Sequence, residues 1–212
     1  MTTQTSSADT ATRKAPVFRI NTRDQMSALL TVIVALVAIL AGLLWRNAVE
    51  ARVKSYADPS GVTIAYPESW RLDATNADTG LIRVSDALAA EYPTAFELRW
   101  LPVAHDAEDA DALATALNTL ALNRGRELSA YKLLDTQTGQ SVKGLPGAAA
   151  SFVFVYDPTS LFQQGIPAVV LGEDLLARKG ERVYVFSLLA ARENRDLAEQ
   201  RFQAFVESAR LP

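Results

Sequence analysis

The segment "HDAEDAD" holds the residues with the clearest capacity for chemistry, and it begins at His105, the only histidine of the chain. An imidazole close to several carboxylates could bind a divalent cation or act as a base in serine catalysis. The carboxylates are Asp106, Glu108, Asp109 and Asp111. The segment lacks the glycine and the distant glutamate of a calcium loop. Carboxylates also suit the first turn of a helix, where the dipole favours anions, and we predict that role.

Other catalytic patterns are missing from the sequence. No Gly-x-Ser-x-Gly elbow occurs, and Ser151 follows three alanines inside a predicted strand. The chain has no cysteine and no glycine-rich phosphate loop, and "KGLPG" is too short to cradle phosphates. Glu173 and Asp174 are neighbours on a predicted strand, so their side chains point to opposite faces. The sequence therefore predicts a protein that is not an enzyme, with no catalytic residue, cofactor or metal site; a hydrolase using His105 is the least favoured alternative.

A long apolar run precedes these residues. The 21 residues from Gln25 to Trp45, "QMSALLTVIVALVAILAGLLW", carry no charge. As a helix rising about 1.5 Å per residue they would cross the ~30 Å hydrocarbon core of a bilayer. The run exceeds the ~7–15 apolar residues of a signal peptide, and no Ala-x-Ala site follows it. A buried core helix is the alternative, but a helix apolar on all sides fits lipid better. We predict a retained transmembrane helix over residues 25–46, in contact with lipid through residues 25–45.

The flanking segments predict an orientation. Residues 1–24 are rich in Thr and Ser and poor in large apolar side chains, which is typical of a disordered tail. Four basic residues precede the apolar run and three follow it closely, a small positive-inside bias. Residues 46–212 carry 17 basic and 22 acidic residues, a net charge of −5, which does not favour nucleic acid as a partner. We predict a single-pass protein of the cell membrane with a cytoplasmic N-terminus.

The rest of the chain is then a stalk, residues 47–57, and one domain, residues 58–212, outside the cytoplasm. Helical character is expected to continue from Ala48 to Tyr56, until "DPSG" stops it. The composition, with 35 Ala and 16 Arg against 5 Lys, is typical of GC-rich coding and favours a bacterial source.

Hydrophobic periodicity predicts the elements of this domain. Apolar residues alternate with polar ones in several segments, and these predict strands. The predicted strands are 62–66, 80–86, 95–102, 131–137, 141–147, 148–157, 168–178 and 181–191. Helical spacing predicts one helix over 109–123, with Gly125 as its C-cap, and another over 195–209, with Asn194 as its N-cap. Strands followed by a helix, more strands and a terminal helix predict an α+β domain with a mostly antiparallel sheet packed with helices.

This order of elements carries a family resemblance. The first strand ends in an aromatic-Pro-x-x-Trp motif, a Gly-x-Pro-Gly corner precedes a long strand, and the final helix ends in "FVESARL". The residues concerned are Tyr66, Pro67, Trp70, Gly144, Pro146, Gly147, Phe202, Phe205 and Ser208. Over residues 58–212 the sequence resembles the PsbP/Mog1-like superfamily, whose fold is an α/β/α sandwich. The resemblance implies a membrane-anchored bacterial type with a non-catalytic extracytoplasmic domain, an accessory or assembly subunit of a larger membrane complex of photosynthetic or respiratory type.

Two sets of residues are candidates for a role. In the motif of Tyr66, Pro67 and Trp70, the proline ends strand pairing and the tryptophan is predicted to fill the core under the helices. In the loop 157–167, Leu161, Phe162 and Ile166 are large and apolar, and they either tuck over the sheet edge or are exposed and contact a partner or the lipid interface. The alternative function is an extracytoplasmic small-ligand-binding domain, with a pocket between sheet and helices lined by residues such as Trp70 and Trp100.

Overall fold

The computed structural model describes residues 22–50, 52–75, 81–86, 92–158 and 166–212. The chain divides into two units, Met1–Val49 and Glu50–Pro212. In the first, helix α1 spans Thr22–Glu50, and its large apolar side chains between Leu29 and Leu43 are exposed. Across the described ranges, no helix combines the length and hydropathy needed to cross a membrane.

The second unit is built on a seven-stranded antiparallel sheet. Its strands are β3 (Arg71–Thr75), β4 (Leu81–Ser85), β5 (Ala95–Pro102), β6 (Lys132–Val142), β7 (Leu145–Tyr156), β8 (Ala168–Lys179) and β9 (Arg182–Ala191), in the order β3-β4-β5-β9-β8-β7-β6. Two further strands, β1 (Val53–Ala57) and β2 (Thr63–Pro67), form a separate hairpin. Helix α2 spans Asp109–Glu127, and helix α3 spans Arg195–Ser208 after a short 3₁₀ turn. The prediction of an α+β domain with a large antiparallel sheet is therefore confirmed.

Strand β9 shows why the domain has three layers. Nearly all of its side chains are buried, whichever face they point to. Val183 and Val185 pack with α2 residues such as Leu113, whereas Phe186 and Leu188 pack with α3 residues. Because successive side chains of a strand point to opposite faces, β9 is covered by a helix on each side. The sheet is thus the middle layer of an α/β/α sandwich.

The core on the α3 face is aromatic. The Trp70 ring lies 4.6 Å from the Phe96 ring, and Phe96 lies 5.5 Å from Phe202 and 5.4 Å from Phe205. Pro67 is the last residue of β2, and the Trp70 amide donates to its carbonyl oxygen at 3.0 Å, which closes the turn between them. The turn directs Trp70 into the core, where only 5% of the residue is exposed.

The stalk differs from the expected continuous helix. Helix α1 ends at Glu50, and β1 pairs with β2 from Val53↔Pro67 to Ala57↔Thr63. The "DPSG" segment that was expected to end a helix is instead a hairpin turn, in which the Gly61 amide donates to the Asp58 carbonyl at 2.9 Å. Gly61 has a φ of 89°, a backbone conformation that glycine adopts without steric cost. The hairpin is tied to α3, because the Ala65 amide donates to the Ser208 hydroxyl at 3.0 Å.

Three further features differ from the sequence prediction. Strand β3 was not predicted at all. In place of the two predicted strands 131–137 and 141–147, β6 is one strand with a bulge at Gly139. The chain reverses at Lys143 and Gly144, which both have positive φ, as tight hairpin turns require. Helix α2 continues through Gly125 to Glu127, and Leu128 is its C-cap.

Candidate functional site

A cavity of 510 Å³ lies on the α2 face of the sheet, beside the C-terminal end of α2. Its size is within the range of pockets that bind small molecules, ~300–1,000 Å³. Its lining combines arginines with aromatic and aliphatic side chains: Leu81, Arg83, Tyr92, Pro93, Glu97, Arg99, Arg124, Glu127, Leu128, Phe154, Tyr156 and Leu189.

The polar floor of this site is a row of residues in register across four neighbouring strands. Arg83 of β4 lies opposite Glu97 of β5, and Glu97 lies opposite Ser187 of β9. Ser187 in turn lies opposite Asp174 of β8. Directly paired residues point to the same face of a sheet. The four side chains therefore form one polar line on the α2 face, and three of them, Glu97, Ser187 and Asp174, are buried.

Arg124 of α2 covers this polar line on the helix side and hydrogen-bonds two of its members. Its Nη2 donates to Asp174 Oδ1 at 2.7 Å and to Ser187 Oγ at 2.9 Å. The centre of its guanidinium lies 4.1 Å from the centroid of the Phe152 ring, a cation–π contact. Phe152 can lie flat there because its β8 partner is Gly172, and a Cβ at Gly172 would collide with the ring. Arg124 thus adds a buried polar attachment to the apolar packing of α2 on the sheet.

Glu97 lies between two other arginines. Its Oε2 accepts from Arg99 Nη2 at 2.7 Å, and its Oε1 lies 3.4 Å from Arg83 Nη1. Two guanidinium donors stay unused in this cluster: the Nε atoms of Arg99 and Arg124 are buried and have no hydrogen-bond partner among the described residues. A buried N–H without an acceptor is costly, so these two groups make the cluster less stable than a fully hydrogen-bonded one.

Burial shifts the pKa values of two side chains at this site. It raises the pKa of the Asp174 carboxyl, against the opposing effect of the Arg124 guanidinium. It also raises the pKa of the Tyr92 hydroxyl, where the Arg83 charge opposes the shift. Tyr92 therefore stays a neutral hydrogen-bonding group at physiological pH, packed edge-on against Tyr156 with ring centroids 5.0 Å apart.

The structure places the chemistry-bearing residues of the sequence elsewhere. His105 is 87% exposed, and its Nδ1 lies 3.3 Å from a carboxylate oxygen of the exposed Glu181. Asp109 and Asp111 lie in the first turn of α2, where acidic residues were expected, and Asp109 also pairs with Arg178 at 2.9 Å. Among the described residues, no three side chains of types that bind metals are close enough to hold an ion.

The two tryptophans expected to line a ligand pocket do not line this cavity. Trp70 is buried on the α3 face, and Trp100 packs against the same core. Tyr66 and Pro67 line a different, apolar groove of 320 Å³ between the β1–β2 hairpin and α3. This cavity is therefore not the pocket expected around Trp70 and Trp100, which stays a prediction.

The predicted partner-contact loop is described only in part. Leu161 and Phe162 lie outside the described residues. Ile166 is described, and 88% of it is exposed. Ile166 therefore does not pack against the described residues, and the role of this loop stays a prediction.

The cavity residues were missed because each has an ordinary local pattern. Arg83, Glu97 and Arg99 occupy the polar positions of strands with alternating polarity. Such positions are normally predicted to face solvent. The available signal was Asp174, an acid within the predicted strand 168–178, because a carboxylate on a covered face needs a buried cation. Nothing in the local sequence identified Arg124 as that cation.

No family model and no curated protein sequence matches this chain. Solved structures do match. Cyanobacterial PsbP (CyanoP) from Synechocystis is 13% identical with a TM-score of 0.51, and the match covers 76% of this chain and 94% of that one. LpqN from Mycobacterium tuberculosis, described as involved in cell envelope biogenesis, is 16% identical over 74% of this chain and 89% of its own, with a TM-score of 0.44. The Ran-binding protein Mog1p from Saccharomyces cerevisiae is 11% identical over 75% and 95%, also at 0.44. The unit Glu50–Pro212 therefore has the PsbP/Mog1-like fold.

Proposed function

We propose that this chain is a non-catalytic accessory or assembly subunit of a larger membrane complex, held at the membrane by residues 25–45. The Glu50–Pro212 unit would lie outside the cytoplasm and the N-terminal tail inside it. Support for a binding role comes from the fold, which this unit shares with cyanobacterial PsbP. Support for the anchor comes from the uncharged run of 21 residues and from the exposure of the large apolar side chains between Leu29 and Leu43.

The observation that carries the non-catalytic proposal is the state of the buried polar groups. Among the described residues, the buried carboxylates are Glu97 and Asp174, and each is in an ion pair with arginine. The Ser187 hydroxyl, the one serine beside a carboxylate in this cluster, is fully buried and accepts from Arg124. His105 is exposed in the turn before α2 and faces Glu181. A nucleophile with an adjacent base and access to substrate is the minimum for covalent catalysis, and this cluster does not supply it.

A partner contact is proposed at Ile166. Exposed large apolar side chains are stabilised when a partner covers them, and this one is 88% exposed at the start of β8. The sequence places Leu161 and Phe162 in the same loop. The partner would be a protein subunit of the same membrane.

Affinity purification of the full-length chain in a mild nonionic detergent, followed by mass spectrometry, tests the accessory role. We expect a fixed set of membrane proteins in constant stoichiometry. Ile166→Ser should release them without lowering the melting temperature, whereas Leu122→Ser, on an equally apolar and 64% exposed residue of α2, should retain them. A chain that elutes alone from freshly solubilised membranes would overturn the accessory role. Retention by the Ile166 variant would overturn this contact only.

Protease protection tests the anchor and its orientation. Protease added to intact spheroplasts should digest the Glu50–Pro212 unit and leave the N-terminal tail intact. A protected unit would reverse the orientation, and a mature chain that starts near residue 46 would exclude the anchor.

A further inference from the structure

The groove of 320 Å³ between the β1–β2 hairpin and α3 has an almost wholly apolar lining. Val53 and Pro67 line it from the hairpin, and Phe205 lines it from α3. Its hydroxyl group, that of Ser208, is engaged within the domain: it accepts from the Ala65 amide at 3.0 Å and donates to the Phe205 carbonyl at 2.7 Å. The groove therefore favours an apolar occupant over one that needs hydrogen bonds.

Large apolar side chains continue the groove onto the surface. Val53 of β1 is 63% exposed, and Leu197 of α3 is 50% exposed. Leu197 precedes Arg201 by four residues, so the two lie on the same side of α3, and Arg201 lines the groove. Exposed apolar side chains on both sides of an apolar groove are typical of an interaction surface.

Arg201 adds a cation to this apolar surface. An arginine stem can cover apolar groups while its guanidinium stays in a polar layer. A guanidinium has five N–H donors, so it can bind a phosphate oxygen in addition to its contacts within the domain. An apolar groove beside a guanidinium matches a phospholipid, which has an acyl chain next to an anionic phosphate.

The chain connects this groove closely to the proposed anchor. Helix α1 continues past Trp45 to Glu50, and only residues 51 and 52 separate Glu50 from Val53. Five helical residues rise ~7.5 Å, and three extended residues span at most ~11 Å. Val53 is therefore within ~18 Å of Trp45, the last residue of the apolar run, and the headgroup layer occupies ~5–7 Å of that distance. With residues 25–45 in the bilayer, lipid is the apolar material within reach of the groove.

We propose that the groove between the β1–β2 hairpin and α3 is a docking surface for the lipid bilayer. Phospholipid acyl chains cover Val53, Leu197 and Ala204, and the Arg201 guanidinium lies at the level of the headgroups. The proposal rests on the anchor described under the proposed function, and it adds a second membrane contact within the folded unit.

Site-directed spin labelling tests this surface. The chain has no cysteine, so one introduced cysteine carries a nitroxide label at a single position. Ala204→Cys labels an exposed residue that lines the groove. Gln203→Cys is the matched control, because this residue is also exposed but does not line the groove and lies about 100° further around α3. The labelled full-length chains are reconstituted, without other proteins, into vesicles of phosphatidylcholine and phosphatidylglycerol.

Electron paramagnetic resonance then compares two relaxation agents, oxygen, which concentrates in lipid, and a nickel chelate, which stays in water. At Ala204 we expect oxygen to relax the label more strongly than the nickel chelate, and at Gln203 we expect the reverse order. If the label at Ala204 lowers the melting temperature, Val53→Cys on the opposite wall replaces it and should show the same preference for oxygen.

A charge placed in the groove should displace the lipid. Val53→Asp, combined with Ala204→Cys, should reverse the preference at Ala204 in favour of the nickel chelate, because an ionised carboxylate is costly in an apolar environment. Leu122→Asp introduces the same charge at an exposed residue of α2 and should leave the preference for oxygen unchanged.

Three results would overturn the docking surface: a label at Ala204 that favours the nickel chelate, a label there that neither agent reaches, or an equal preference for oxygen at Gln203. Alkaline carbonate extraction separates this outcome from a failure of the anchor. A chain that leaves the vesicles overturns the anchor and this surface together. A chain that stays, with its Ala204 label in water, overturns the docking surface alone.

Discussion

The guanidinium of Arg124 and the carboxylate of Asp174 lie 2.7 Å apart, with 6% and 3% of their side chains exposed. This pair joins α2 to β8 inside the domain. Each charge depends on the other, because moving either one alone from water into the interior is strongly unfavourable.

Removing Arg124 alone should therefore destabilise the domain severely. Arg124→Leu leaves the Asp174 carboxylate unpaired, and breaking a buried pair in this way typically costs about 3–5 kcal/mol. The double variant Arg124→Leu/Asp174→Leu should recover much of that loss, since no unpaired charge remains. Chemical denaturation monitored by tryptophan fluorescence measures both. A double variant no more stable than the single one would show that packing, and not charge, is what Arg124 contributes.

Trp70 is expected to be among the most costly residues to truncate. It fills the α3-side core against Phe96, and Trp70→Ala should cost about 3–5 kcal/mol. Trp100→Ala, at a partly buried position in contact with the same core, should cost less. Thermal melts of the two variants rank them. An unchanged melting temperature for Trp70→Ala would show that Trp70 does not contribute to the stability of the core.

Glu173 should give the domain a measurable pH dependence. Burial raises the pKa of its carboxyl, although Arg195 pairs with it and opposes the shift. A raised folded-state pKa means that the folded chain binds this proton more tightly than the unfolded chain. The resulting stabilisation is fully present below the ordinary range of glutamate, about pH 4.3, and is lost as the pH rises through the raised pKa.

The comparison that isolates this effect is the wild type against Glu173→Gln. The free energy of unfolding of the wild type minus that of the variant should fall as the pH rises from below that range, and then become constant. Urea denaturation at a series of pH values measures it. A difference that increases with pH would mean that the Arg195 pair dominates over burial.

Two glycines should respond to alanine in opposite directions. A Cβ at Gly172 would collide with the Phe152 ring, so Gly172→Ala should destabilise by about 1–3 kcal/mol, as overpacking does. At Gly125, inside α2, the nearest atom to a new Cβ is 3.7 Å away in the Tyr131 ring. Gly125→Ala should be neutral or stabilise by up to about 1 kcal/mol, through helix propensity. Equal effects at both sites would contradict the close approach of Phe152 to β8.

Much of the fold could be predicted because local patterns agree with it. The alternation in residues 95–102 specifies β5 to the residue, and the helical spacing after Asp109 specifies the start of α2. The aromatic-Pro-x-x-Trp motif fixes a turn that the neighbouring residues close by themselves. These elements need only short-range information, so periodicity and turn chemistry suffice.

The errors fall where a distant partner overrides the local preference. Residues 53–57 could have continued a helix, but β1 is stabilised as a strand by pairing with β2. Strand β6 was predicted as two separate strands, 131–137 and 141–147, but pairing with β7 continues past Gly139 through a bulge and makes it one strand. Strand propensity depends on such neighbours more than helix propensity does.

The sequence alone determined the strand and helix types of most of the domain, the placing of Asp109 and Asp111 at a helix start, and the absence of catalytic motifs. Only the tertiary structure decided that Arg83, Glu97, Ser187 and Asp174 form one line beside a cavity. These four residues belong to four strands, and Glu97 and Ser187 are joined by strand pairing across most of the domain sequence. Register between strands distant in sequence is set by the packing of the whole sheet, so no local pattern could predict that these charges would meet.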